Sequence, residues 1–364
     1  MKKTFTIFAI ILFTCIFCNS FSQTYNGSFQ ELFFGWQPSA RAEAMGRSLA
    51  SVPGDALSYY YNPAGMASLE GLNLSGSFAG PYYLLDTAKY NYFSASYKIK
   101  KYGTVGFSRD YFTYGYDVIV TDEFGNVTGK YEPHATNYRL TLSSEVIKDL
   151  MVGVNLNLLQ GRYGSGNLSV GNERSDNSDV FYADLGVLKL INIQSGKLNH
   201  KFNIGTSLMN LNSAEYGPDA SQGDKLPVIF RLGASYDLSV NDKSIIKKLN
   251  SYNVLVNAEY EDLLNSKYYG GFHSGLEFTF LEMLSLRGGY YTREITDNCS
   301  NCKDKLSEFT YGFGVNVPVR QLSDSQVPLE VKFDYINLKQ PSQITTKDDW
   351  KNFHVYTIRV NWIF

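Results

Sequence analysis

From residue 71 onward, apolar and polar side chains alternate with period two along most of the chain, the mark of strands whose two faces meet different surroundings. The end of the chain shows it most clearly. Phe364, Trp362, Val360, Ile358 and Tyr356 form one unbroken apolar face, while Asn361, Arg359 and Thr357 sit on the other. Val152, Val154, Leu156 and Leu158 oppose Gly153, Asn155 and Asn157 in the same way. Further on, Val228, Phe230, Leu232, Ala234 and Tyr236 oppose Arg231, Gly233, Ser235 and Asp237. Phe309, Tyr311, Phe313, Val315 and Val317 oppose Thr310, Gly312, Gly314 and Asn316. The pattern predicts fourteen strands, over 71–79, 88–99, 103–113, 134–146, 150–161, 179–192, 200–210, 226–239, 251–262, 270–280, 284–294, 307–318, 327–338 and 354–364.

The links sort by length. Even-to-odd links are mostly short (100–102, 147–149, 194–199, 281–283), with 241–250 and 319–326 as exceptions. Odd-to-even links at 113–133, 162–178, 211–225, 295–306 and 339–353 are longer and rich in Tyr, Gly, Asn and Asp. Short turns on one rim and long loops on the other are what outer-membrane barrels show, and the long side is external. The fold class expected is all-β: a fourteen-stranded antiparallel transmembrane β-barrel at 70–364, in the cell outer membrane of a Gram-negative bacterium. Its lipid face would end on Tyr356, Ile358, Val360, Trp362 and Phe364.

Residues 23–69 do not alternate. Pro38-Ser39-Ala40-Arg41-Ala42-Glu43-Ala44-Met45-Gly46 predicts a short helical turn with a glycine stop. Asp55 stands at an N-cap position before residues 56–61, and Asn62-Pro63 breaks that turn because a residue before proline is pushed out of the helical region. Residues 64–69 can make another turn. Small, helical and glycine-punctuated, the segment is sized to sit inside the barrel as a hatch.

Composition alters the picture little. Fifty-two of the 364 residues are Tyr or Phe, 28 and 24, which suits strands and membrane-interface girdles. The formal charge of −2 gives no argument for nucleic acid. Residues 1–22 carry Lys2 and Lys3, an apolar stretch and Ser20-Phe21-Ser22, the layout of a secretory signal peptide. Past it there is no apolar run long enough for a transmembrane helix.

On these residues a resemblance emerges. Pro38 to Gly46, then Asp55, then Asn62-Pro63-Ala64-Gly65-Met66-Ala67, resemble the start of the FadL superfamily of outer-membrane barrels. Tyr114-Gly115, the run from Thr121 to Gly129, Ser207-Leu208-Met209-Asn210 and Leu226-Pro227 with Arg231-Leu232-Gly233 are similar to its PorV/PorQ branch, associated with type IX secretion. The resemblance implies a fourteen-stranded barrel with a lumenal hatch, to which Asn62, Pro63 and Ala64 belong. It also implies that the closing aromatic, Phe364, is read by the barrel-assembly machinery. One departure matters: residues 113–133 are short and carry Asp117, Asp122, Glu123 and Lys130, which speaks against a fatty-acid docking groove.

Candidate chemistry is sparse. Cys299 and Cys302 form a C-x-x-C pair in a predicted external loop, read as a loop-closing disulfide in an exported protein. No second pair or nearby His completes a metal site, and no G-x-S-x-G elbow is present, so neither cofactor nor enzyme activity is expected. Charges predicted to face the lumen are Arg139, Glu145, Arg231, Asp237, Glu259, Glu261, Glu277, Arg287, Glu330, Lys332, Asp334 and Arg359. Facing lipid, the basic ones would cost about 2–4 kcal/mol each near the midplane, and their mixed signs point to ion pairs bracing barrel and hatch.

Two functions remain. The resemblance favours a non-enzymatic barrel that acts through protein partners, a secretion-system accessory or shuttle whose external loops bind secretion-system or surface proteins. The alternative is a FadL-like channel whose hatch gates a small hydrophobic solute. Lumen residues beneath the external loops discriminate, apolar for the channel and polar for the partner protein; the lumenal charges lean to the partner protein.

Overall fold

A computed structural model describes residues 37–80, 87–122, 124–162, 177–216, 224–240, 249–264, 270–296, 303–322, 327–338 and 352–363. The signal segment, Cys299, Cys302 and Phe364 lie outside the described residues. The barrel strands are β1 Leu72–Gly80, β2 Lys89–Ile99, β3 Gly103–Thr113, β4 His134–Ile147, β5 Leu150–Arg162, β6 Asn177–Ser195 and β7 Leu198–Met209. They continue as β8 Ile229–Val240, β9 Tyr252–Leu263, β10 Gly271–Phe280, β11 Leu284–Thr296, β12 Lys303–Pro318, β13 Leu329–Leu338 and β14 Phe353–Trp362. Each pairs with its sequence neighbours, and β1 pairs with β14 from Leu72↔Trp362 to Gly80↔His354, closing a fourteen-stranded antiparallel barrel.

The predicted strands are all present. The largest boundary shifts fall at hairpin arms: β6 runs on past both ends of 179–192, and β12 begins at Lys303 rather than 307. Arms that leave the bilayer have water on both faces, so alternation fades while backbone pairing persists.

Alternation divides the wall into two faces. Phe93, Phe107, Leu142, Leu156, Phe181, Leu232, Phe272, Leu276, Leu286, Phe309 and Tyr311 point outward and are exposed, as are Tyr356, Ile358 and Trp362. An apolar belt of this extent around a soluble monomer would aggregate; in a bilayer it is the solvated face. A closed barrel also leaves no unpaired edge in lipid. The protein is an outer-membrane β-barrel.

Residues 37–69 fill the lumen. Helix α1, Ala40–Ala44, is capped by Ser39, whose hydroxyl accepts from the Ala42 amide, and stops at Gly46 with φ +64°. A single 3₁₀ turn follows at Ser58–Tyr60 and a longer 3₁₀ stretch at Pro63–Ser68.

Candidate functional site

The hatch is sealed by three devices: backbone contacts, polar side chains and an ionic ring.

The first is a girdle of inward-facing glycines. A Cβ at Gly153 would strike Pro63, at Gly186 Asn62, at Gly205 Ala50, at Gly275 Met45 and at Gly289 Gly46. At Gly153, Gly205, Gly275 and Gly289 main chain meets main chain, and at Gly186 the Asn62 side chain seats on the wall, a close approach that only glycine permits.

The second is a set of wall side chains that satisfy hatch backbone groups, which would otherwise be buried without partners. Asn155 donates to Tyr59 O at 3.0 Å, Ser207 to Tyr61 O at 2.6 Å and Ser235 to Ser51 O at 3.0 Å. Glu259 accepts from the Ala50 amide at 2.8 Å, Thr310 from Gly46 at 3.0 Å and Thr357 from Ala40 at 2.9 Å. Asn62, singled out in the sequence, does three jobs. Its Oδ1 caps the turn at Ala64 N (3.0 Å), and its Nδ2 donates to Ala50 O within the hatch (2.8 Å) and to Val187 O of β6 (3.0 Å). Pro63 occupies the first position of the turn it starts, and Ala64 is fully buried beneath the wall.

The third device is a closed ring of six charges. Arg41 Nη1 meets Asp55 Oδ2 at 3.0 Å, and Asp55 Oδ2 meets Arg359 Nη1 at 2.8 Å. Arg359 reaches Asp334, which accepts from Arg287 Nη1 at 2.7 Å. Arg287 pairs with Glu277, and Glu277 Oε1 returns to Arg41 Nη2 at 2.6 Å. Three arginines alternate with three carboxylates, so the ring is neutral. Two members, Arg41 and Asp55, ride on the hatch; the others belong to β10, β11, β13 and β14. Burial alone would raise the Asp55 pKa, but Arg359 and Arg41, with the Leu57 amide, outweigh it and hold the carboxyl well below its ordinary range. The ring borders a cavity of about 360 Å³ lined also by Lys201, Asn253, Asn316, Glu330 and Lys332, at the rim of the short turns.

Sequence reading anticipated ion pairs between barrel and hatch, and Asp55 does cap, its Oδ1 accepting from Leu57 N at 2.9 Å. It missed Arg41 as an ionic partner, because a short helix next to Glu43 reads as a solvated turn. Asp110 was missed too; it pairs with the fully buried Arg139 at 3.2 Å. Glu145, expected in the lumen, is exposed at the turn and accepts from the Asp149 amide.

Above the hatch, toward the long loops, the wall changes character. Ala79, Tyr90, Phe112, Ala135, Leu159, Val180, Ile336, Leu338, Phe353 and Val355 turn inward and are buried together with Leu57 and Tyr59 to Tyr61 of the hatch. The lumen is therefore apolar on the external side and charged on the other. The 113–133 loop also departs from its polar reading. It folds as a hairpin, Val118–Thr121 against Val127–Tyr131, closed by Asp122 accepting from Phe124 and Asn126. Tyr116, Ile119, Phe124 and Val127 are exposed on it.

Neither a protein-family model nor a curated protein matches the sequence. Among solved structures, the chain is similar to a Pseudomonas aeruginosa FadL homologue at 9% identity and TM-score 0.42, covering 90% of this chain and 98% of that one. It is similar to the Ralstonia pickettii toluene transporter TbuX at 11% identity and TM-score 0.42, covering 91% and 99%. A TodX deltaS2S3 mutant, a monoaromatic hydrocarbon channel, gives 10% identity and TM-score 0.44, covering 88% and 97%. At these identities the likeness is one of barrel fold alone.

Proposed function

We propose that this outer-membrane barrel is a hatch-closed channel for small apolar solutes, FadL-like in plan. One observation carries the reading: the lumen beneath the external loops is lined by Phe112, Leu159, Val180, Ile336, Leu338, Phe353 and Val355, not by charges. An apolar solute gains about 25 cal/mol for each Å² it removes from water in such a basin. Tyr90, Tyr92 and Phe112 offer ring faces and edges, which suits small aromatic hydrocarbons. The glycine girdle, the wall hydrogen bonds and the ionic ring keep the hatch closed below. Opening needs a rearrangement of the hatch; a neutral ring whose charges exchange partners permits one without stranding a charge in the lumen.

The test is uptake by whole cells. Removing the protein should slow uptake of a labelled monoaromatic hydrocarbon. Wild type should restore the rate, and Phe112→Asp, which puts a carboxylate in the basin, should not. Uptake that is unchanged without the protein ends the reading.

A second reading, a barrel that works through protein partners as in the PorV/PorQ branch, is supported by the external hairpin. Ile119, Phe124 and Val127 are 56%, 80% and 61% exposed, a small apolar tip of the kind partners cover. Crosslinking in intact membranes followed by purification separates the two. A specific partner lost on Phe124→Asp, with hydrocarbon uptake intact, favours this reading over the channel.

A further inference from the structure

The lipid-facing side of the wall carries a group of cations at the external rim of β2–β5. On β3 the outward positions run Val105, Phe107, Arg109 and Tyr111 toward the long loops. Arg109 is exposed at the upper edge of the apolar belt, above Phe107 and in register with Phe93 on β2 and Tyr138 on β4. Its guanidinium lies 4.6 Å from the centroid of the Tyr111 ring, so the side chain climbs toward the rim. Long cationic side chains on a lipid face take this course, keeping the stem in hydrocarbon and the charge at headgroup level. Tyr111 in turn lies 5.5 Å from the His134 ring. His134 belongs to the row that ends the belt: Lys89, Thr113, His134 and Arg162, adjacent in register across β2–β5. At about 4.8 Å per strand, Lys89 and Arg162 stand about 14 Å apart, with Arg109 reaching up between them.

The protein leaves part of this charge unpaired. Asp179 takes Arg162 at 2.6 Å, and Glu132 accepts from the Thr113 hydroxyl. Among the described residues no carboxylate pairs with Lys89 or Arg109, and both are exposed. A cation on the lipid face costs about 2–4 kcal/mol at the midplane and about 0–1 kcal/mol near the interface, where an anion can meet it. At the level of Phe93, Phe107 and Tyr138 the neighbours of the outer wall are lipids, so the anion that meets these cations belongs to a headgroup. On the side of the long loops that is the outer leaflet, whose anionic groups are the phosphates of its glycolipid. Phosphate oxygens suit both an arginine fork and a lysine point charge.

We propose that Lys89, Arg109 and Arg162 form a docking site for a phosphorylated glycolipid of the outer leaflet. Lys89 and Arg109 take phosphate oxygens, Arg162 flanks them, and Phe93, Phe107 and Tyr138 below pack against the acyl chains. The site lies on the outside of the wall and does not depend on what passes through the lumen.

Native mass spectrometry of the full barrel in mild detergent tests it, titrated with a diphosphorylated outer-membrane glycolipid and with the same lipid stripped of both phosphates. Wild type should bind the phosphorylated lipid at least about tenfold more tightly than the stripped one. Lys89→Gln with Arg109→Gln should bind the two lipids alike. Arg109→Leu, which only extends the apolar belt, decides the matter if the double variant does not fold; its preference should fall about fivefold. Lys100→Gln with Lys101→Gln, which removes two exposed cations at a short turn, should keep the wild-type preference. Equal binding of the two lipids by wild type, an unchanged preference in the folded rim variants, or an equal loss in the turn variant overturns the proposal.

Discussion

The two flanks of the hatch are built from the same kind of strand and do opposite things. Around β5–β14 the inward positions are glycines, amides and charges that meet the hatch backbone directly. Around β1–β4 they are mostly serines and threonines, and there the hatch sends side chains to the wall, Met66 onto Gly106 and Tyr59 onto Tyr92. Both patterns read in sequence as a polar face. The difference lies in what meets the wall: on the first flank hatch main chain touches strand main chain at glycines, whereas on the second it is hatch side chains that pack on the wall. A plug held this way is anchored through its backbone on one flank and through side-chain packing on the other.

The largest effect should come from the anchored flank. Asp55→Ala removes the carboxylate shared by Arg41 and Arg359 and leaves two buried guanidiniums short of a partner, at a cost of about 3–5 kcal/mol. The urea midpoint should fall and the hatch should become cleavable by trypsin at Arg41 or Arg47; unchanged proteolysis would mean that the ring does not hold the hatch.

Acid gives a related result through the same residue. Asp55 has a depressed folded-state pKa, so its contribution is complete above the unfolded value near 3.9 and disappears as pH falls through the lower folded value. Hatch protection should thus persist from neutral pH to about 4 and fail only in stronger acid. Loss of protection between pH 7 and 5 would place the latch elsewhere.

Next in size is Gly205→Ala, whose methyl overlaps Ala50 O. Overpacking of this kind costs about 1–3 kcal/mol. Asn62→Ala, which loses the cap and the bonds to Ala50 and Val187, should cost about 1–2 kcal/mol. Both are read as urea midpoints in detergent.

The smallest effect belongs to the β1–β4 flank. Ser96→Ala should change stability by less than about 0.5 kcal/mol, because the hydroxyl removed makes no hydrogen bond to the protein. If Ser96→Ala proved as costly as Asn62→Ala, the two flanks would not differ as described.

The barrel was legible from the chain because alternation, link lengths and the apolar face ending on Trp362 all reflect local requirements of a strand in a bilayer. Asn62-Pro63 was legible for a similar reason, since a cap followed by proline is a local instruction. The lumen's polarity was not. Listing Arg231, Glu277, Arg287 and Arg359 as inward charges suggested a polar lumen throughout, yet the order of residues along each strand places these charges below Tyr90, Phe112, Leu159, Ile336 and Val355. That layering appears only once fourteen registers are fixed together.

The sequence by itself determined the strands, which face meets lipid, the hatch turns and the pool of charges available to the lumen, because each follows from neighbours within a few residues. Tertiary structure decided which charges meet. Asp55 and Arg359 are 304 positions apart, and Arg41 and Glu277 are 236 apart. It also decided which glycines serve as contact points and which serines are buried against the hatch. Those outcomes depend on how a short segment sits inside a closed wall, and no periodicity along the chain records that placement.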